Sequence, residues 1–194
     1  MDDVRRCFGG GDPLMALYHD DEWGVPVHDD RLLFEHLVLD GFQAGLSWRT
    51  ILYKRQAFRE SFDDFDPERI AGYGRRQVAR LMKNAGIVRN RQKIEAAIGN
   101  ARAVLAMRQA GTTLDEYLWS FTDGQVLRNR PRRNWEKLPT SNHVSDSLSK
   151  DLRQRGFAFV GTTICYAFMQ AVGMIDDHLT ICYRFCPPER VSSR

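Results

Sequence analysis

Cys7 and His19 stand near one end of this chain, and His178 and Cys182 near the other. All four are good ligands for a soft divalent metal, and two cysteines with two histidines make one of the closed tetrahedral zinc sets. The pair His178-Leu-Thr-Ile-Cys182 has i,i+4 spacing, so one helical turn or a tight loop can aim both side chains at one ion. Cys7 and His19 bracket Asp12-Pro13, a helix start, and His19 would close that short helix. If the four converge, a metal pins both ends together and serves stability more than chemistry. The competing reading is four unrelated residues, because the two pairs lie more than 150 residues apart and match no contiguous finger pattern. Spacing alone leaves both readings open.

A second constellation has the makings of a nucleobase pocket. Tyr18-His19-Asp20-Asp21-Glu22-Trp23-Gly24-Val25-Pro26 is followed, one helix later, by Leu39-Asp40-Gly41-Phe42-Gln43-Ala44-Gly45-Leu46-Ser47-Trp48. Two aromatic segments thus flank a carboxylate and an amide on a glycine-broken turn. A flipped base needs aromatic faces to stack on and polar groups for its edge. Periodicity alone favours Trp23 and Trp48 as core residues. Asp40 is harder to explain structurally, since a carboxylate at a helix C-terminus faces the wrong end of the dipole.

These residues must be positioned by helices. Helical spacing of apolar residues covers about 29–39 (Leu32, Leu33, Phe34, Leu37, Val38), 47–58, 66–70, 77–84, 91–108, 113–121 and 145–155. Gly41 to Gly45 reads as an interruption, and 123–140, rich in Arg and with two prolines, as an exposed loop. No alternating strand pattern is evident, so the expected fold class is all-α in one domain, 1–194. Residues 145–175 read as a helix, a turn from Gly156 to Gly161, and a second helix that Thr162 or Thr163 caps. Gly161 and the following helix N-terminus suit a phosphate, which would hold DNA by its backbone without reading sequence. An ordinary helical hairpin is the plainer alternative. Basic clusters at Arg128, Arg130, Arg132 and Arg133, and from Arg75 to Lys93, could face phosphates or simply solvent.

Composition bounds the rest. Of 194 residues 43% are apolar, enough for a core, and the net charge of +3 is compatible with nucleic acid without arguing for it. Four cysteines without paired spacing argue against a secreted disulfide framework. No run approaches a membrane span and no leader peptide is evident, so a soluble, cytoplasmic protein with no membrane partner is expected.

With these segments assembled, the chain resembles the 3-methyladenine DNA glycosylase I family, a zinc-containing branch of the helix–hairpin–helix glycosylases. The resemblance rests on Tyr18-His19-Asp20, Glu22 to Pro26, Gln43 to Trp48, Asn84-Ala85-Gly86-Ile87, Ile98-Gly99-Asn100-Ala101, Leu138-Pro139-Thr140-Ser141 and Gly156 to Gln170, nearly the whole chain. It implies two helical lobes with a cleft between them and ends joined by structural zinc on Cys7, His19, His178 and Cys182. It implies a monomer that excises 3-methyladenine from alkylated double-stranded DNA without lyase activity. Tyr18 and Trp48 would stack on the base, Trp23, Gln43 and Met15 would line the pocket, and Asp40 would read the base edge. Gly161, Thr162 and Thr163 would hold the DNA backbone. His178 would take the place where related glycosylases carry a catalytic Asp, with Asp177 orienting a zinc ligand. Two departures stand out: the family usually has Glu at the position of Asp40, and a family member has Tyr at that of Met15. A shifted lesion range, or a zinc-stabilised module that binds damage without cutting, are the alternatives these imply.

Overall fold

The computed structural model describes residues 4–187. Nine α-helices carry the fold among these residues. α1 (Pro13–Asp21) starts on a proline behind Asp12, whose carboxylate accepts from the Met15 backbone N–H. α2 (Asp30–Gln43) is capped by Asp29 and is the centre of the molecule. It packs against α3 (Trp48–Ser61), α6 (Arg91–Gln109), α7 (Leu114–Trp119) and α9 (Thr162–Ala171). Every residue from Leu33 to Phe42 is buried, so α2 is surrounded on all sides. Leu32, expected inward, is 40% exposed because it lies in the first turn, ahead of the enclosed stretch. α4 (Pro67–Ala71) and α5 (Arg75–Lys83) pack on α6, and α8 (His143–Gln154) pairs with α9.

Three features depart from the sequence reading. Gly41 does not break α2. It lies inside the helix, where a Cβ would come within 3.3 Å of the Cβ of Phe159. The glycine lets the α8–α9 turn seat directly against the helix. The 123–140 segment is tied down rather than loose, with Leu127–Arg128 (β1) pairing in parallel with Ile175–Asp176 (β2). Its Arg132 carbonyl also accepts from the Thr180 N–H at 2.8 Å. Finally, the N-cap of α9 is Gly161 with no side-chain cap, because the Thr162 hydroxyl donates to Asp146 of α8 instead. Among the described residues no helix is long and apolar enough to cross a membrane.

Candidate active site

The pocket forms where α1, α2, α3 and α9 meet. α2 delivers Asp40 and Gln43, α1 delivers Met15 and Tyr18, and the start of α3 delivers Trp48. Trp23 follows α1, and its backbone N–H donates to the Tyr18 carbonyl at 2.9 Å. All six residues singled out from the sequence line one cavity of about 190 Å³, together with Phe8, Ala167, Gln170 and Ala171. An apolar cavity of roughly 150 Å³ admits a benzene ring, so this one is scaled to a single planar ring system. Tyr18 and Trp48 stand 5.2 Å apart at 43°, presenting two aromatic surfaces.

Asp40 supplies the acid of the cavity. It is 3% exposed and its Oδ2 has no hydrogen-bond partner. Burial with no compensating cation pushes its pKa well above the usual carboxylate range. Behind the pocket, Arg55 of α3 donates to Glu22 and to Glu35, at 2.5 Å each, and Arg59 also donates to Glu35. This chain of alternating charges joins α1, α2 and α3 and is neutral within itself, leaving Asp40 as the unneutralised acid of the cavity. Burial, then Asp40 and Glu22, raise the Tyr18 phenol well above its ordinary value, so it stays a neutral aromatic.

A second groove runs from Asp40 and Gln43 over Ala44, Gly45 and Leu46 to Thr163 and Ile164. It joins the cavity to the start of α9. The turn ahead of α9 is held by Asn100 of α6, which exchanges two hydrogen bonds with the backbone of Ala158, at 3.1 and 2.8 Å. Gly161 has φ −62°, and a Cβ there would meet only Arg153, at 3.5 Å. Neither backbone nor neighbour demands glycine at this point, so the room it leaves is available to a ligand from outside. Of the basic residues, Lys93 is spent inside the protein. Its Nζ donates to the Phe42 and Ala44 carbonyls, at 2.9 and 2.6 Å, and so caps α2. Arg128 pairs with Asp176.

The ends of the chain do come together. The ligand atoms of Cys7, His19 and Cys182 all lie within 4.8 Å of one another. The His178 ring stands edge-on to His19 at 5.3 Å, with its Nε2 buried and unpartnered. His19 Nδ1 bonds to Asp20 at 2.9 Å and His178 Nδ1 to Asp176 at 2.8 Å, which leaves Nε2 of each ring free of these carboxylates; His19 Nε2 meets the Cys182 thiol at 3.3 Å, while His178 lies beside the three-residue cluster rather than within its 4.8 Å span. The carboxylate partner of His178 is therefore Asp176, and the expectation that Asp177 orients it fails. Asp177 is engaged elsewhere, accepting from Tyr166, Asn129 and Gln170 at 2.6, 2.7 and 2.8 Å. Gly24, at φ +76°, admits His178, since a Cβ would stand 2.8 Å from the imidazole Cε1. Two thiols and two imidazoles with carboxylate backing are the donor chemistry of a closed metal site. Cys165 lies in the core and Cys186 on the surface.

The methyladenine glycosylase family model matches residues 8–185. The chain belongs to the methyladenine glycosylase family. It is 50% identical over 180 residues to DNA-3-methyladenine glycosylase 1 of Escherichia coli (strain K12), covering 92% of this chain and 96% of that protein. A crystal structure of 3-methyladenine DNA glycosylase I superposes with a TM-score of 0.90 at 52% identity, over 95% of this chain and 100% of that one. A variant of 3-methyladenine DNA glycosylase I in complex with 3-methyladenine superposes at 0.86 with 37% identity, over 92% and 96%. Phe8, Ala167, Gln170 and Ala171 are the lining residues the sequence reading missed. Phe8 adjoins Cys7, and Gln170 lies two helical turns after Thr163 on one face of α9, a spacing that would have placed it.

Proposed function

We propose that this protein is a DNA glycosylase that flips 3-methyladenine out of alkylated double-stranded DNA and hydrolyses its N-glycosidic bond. The observation that carries the reading is a base-sized aromatic cavity whose buried acid, Asp40, has no internal cation. Methylation at N3 leaves adenine cationic while it is joined to the sugar. When the bond from C1′ to N9 breaks, its electron pair passes to the base, which leaves neutral, and water adds at C1′. Such a substrate needs little acid–base help. It needs extrusion, stacking and a counter-charge. Tyr18 and Trp48 offer electron-rich faces, together worth about 1–4 kcal/mol toward a desolvated cation. Asp40 favours positive charge on the base, which selects the alkylated base over adenine. Trp23, Met15 and Gln43 complete the walls. None of the lining residues carries an amine, in keeping with hydrolysis without lyase chemistry, which needs an amine nucleophile.

In this reading the fold is a helix–hairpin–helix glycosylase with two lobes, acting as a monomer. The backbone N–H groups at Gly161, Thr162 and Thr163 take a DNA phosphate. Leu46, 42% exposed on the groove between cavity and hairpin, fills the stack as an apolar wedge when the base leaves it. Cys7, His19, His178 and Cys182 fit zinc and would hold it. Bound there, the metal supplies structural closure of the two ends and takes no part in bond breaking. Base release from methylated duplex DNA, separated by chromatography, tests the function. A dominant 3-methyladenine peak is expected. Release of another base instead would make this a glycosylase of shifted range, and damage binding with no release would make it a binding module.

A further inference from the structure

In and just behind the cavity wall three buried polar atoms have no hydrogen-bond partner: Asp40 Oδ2 and Trp48 Nε1 of the lining, and Nδ1 of His36, which stacks on Trp48. Their residues are neighbours. His36 and Asp40 lie one turn apart on α2, on the same face. The His36 ring lies nearly parallel to that of Trp48, at 17° with centroids 6.4 Å apart. Asp40 and Trp48 line the same cavity. Buried orphans are rare in native proteins, and three in one place need a common explanation. Their chemistry is complementary, since an indole N–H only donates, whereas a carboxylate oxygen and an unprotonated imidazole nitrogen accept. His36 is unprotonated at neutral pH. Burial first, then Arg55, push its pKa down to about 4 against the pull of Glu35, and Arg59 adds to the effect. The other titratable groups near Asp40 are Tyr18 and Cys165, both kept neutral by burial.

We propose that His36, Asp40 and Trp48 hold a buried water at the cavity wall, which makes His36 a specificity-determining residue. The water accepts from Trp48 Nε1 and donates to Asp40 Oδ2 and His36 Nδ1. These three bonds are typical of a buried water. Its remaining lone pair accepts from the exocyclic amine of the base. The relay lengthens the reach of Asp40, whose side chain is one methylene shorter than Glu. The inference rests on the reading of 3-methyladenine excision, and its test separates the two.

The direct test is a high-resolution crystal structure of the free protein. A water bonded to all three atoms is expected, and its absence overturns the proposal whatever the substrate. The functional test is a double-substitution cycle on the full chain. His36→Phe, which keeps a ring and deletes the acceptor, should lower kcat/KM for 3-methyladenine release about tenfold, the size of one buried hydrogen bond. His36→Asn, whose amide oxygen replaces Nδ1, should restore most of the loss. In the Asp40→Glu background the longer acid reaches the base unaided, so His36→Phe should change little. Equal losses in both backgrounds, or Asn no better than Phe, would mean that His36 merely fills space. A wild-type protein that holds the water yet releases no 3-methyladenine would refute the excision reading and leave the water site standing.

Discussion

Asp40 is held in an environment that the folded protein alone does not repay. Its pKa is raised by burial, so between the unfolded value and the folded one the native state binds more protons than the unfolded state. Stability contributed by this group is therefore present at low pH and is lost as pH rises toward the folded value. Asp40→Asn removes the penalty. Thermal unfolding at neutral pH should show a higher Tm than wild type, with the difference shrinking below the ordinary carboxylate range, while base release falls. A variant less stable at neutral pH would mean that the carboxylate has a compensating partner. Trp48 acts on the other side of the same balance. Trp48→Leu should reduce kcat/KM for 3-methyladenine by roughly tenfold, corresponding to the ~1–2 kcal/mol of a desolvated cation–π contact. An unchanged rate would remove Trp48 from the stacking role. At this scale Asp40 was legible, because a carboxylate near a helix C-terminus is conspicuous, whereas Trp23 and Trp48 read by periodicity as core residues and were placed in the pocket only by the family resemblance. His36 was not legible, since a histidine in an apolar helix gives no sign of which atoms it leaves unpaired.

Two glycines that look alike in the sequence do opposite work at the scale of elements. Gly41 reads as a helix breaker, yet it lies within α2 so that Phe159 can approach. Gly161 reads as a turn residue, yet its φ of −62° needs no glycine. Only the packing of distant segments separates the two cases, and local pattern does not contain it. The consequences are distinct. Gly41→Val should destabilise the fold by about 1–3 kcal/mol through overpacking against Phe159, read as a lower midpoint in denaturant. Gly161→Ala should leave that midpoint where it is and, with the proposed phosphate contact at the α9 N–H groups, weaken binding to undamaged duplex DNA, because the methyl group would stand in the path of that phosphate. Unimpaired DNA binding by Gly161→Ala would move the DNA contact away from the hairpin. The two-residue strands β1 and β2 were invisible to the sequence reading for a related reason: a ladder this short carries no alternation, and only the return of the chain creates it.

Across the whole molecule, the clasp of the termini and the base pocket share walls. Phe8 stands 5.0 Å from His19 and 5.3 Å from Trp23, and Trp23 stands 4.6 Å from His178. Trp135, from the segment expected to be a loose loop, donates to the Cys7 carbonyl at 2.8 Å and packs on Phe8 and Trp23. The side of the cavity carrying Phe8 and Trp23 is thus built on the cluster where the ends meet. The four candidate ligands were legible from residue type, but the approach of Cys7, His19 and Cys182 was not, because no local signal reports on partners so far apart along a chain. Nor could the sequence choose between adjacent Asp176 and Asp177. The strand register settles it by turning Asp176 toward His178, while Asp177 faces Tyr166 and Gln170. Asp176→Asn should therefore weaken zinc affinity roughly 10–100-fold, the usual effect of losing a ligand's hydrogen-bond partner. Asp177→Asn should leave the affinity near wild type and instead loosen Gln170 at the pocket. Zinc at about 100 times its Kd contributes roughly 2.7 kcal/mol, so chelation should lower Tm by roughly 5–11 °C for a chain of this length. Because the same aromatic residues bridge clasp and pocket, chelated protein that stays folded should bind 3-methyladenine more weakly, as followed by tryptophan fluorescence. If the chelated, folded protein binds the base as tightly as before, the clasp holds the ends together without shaping the pocket.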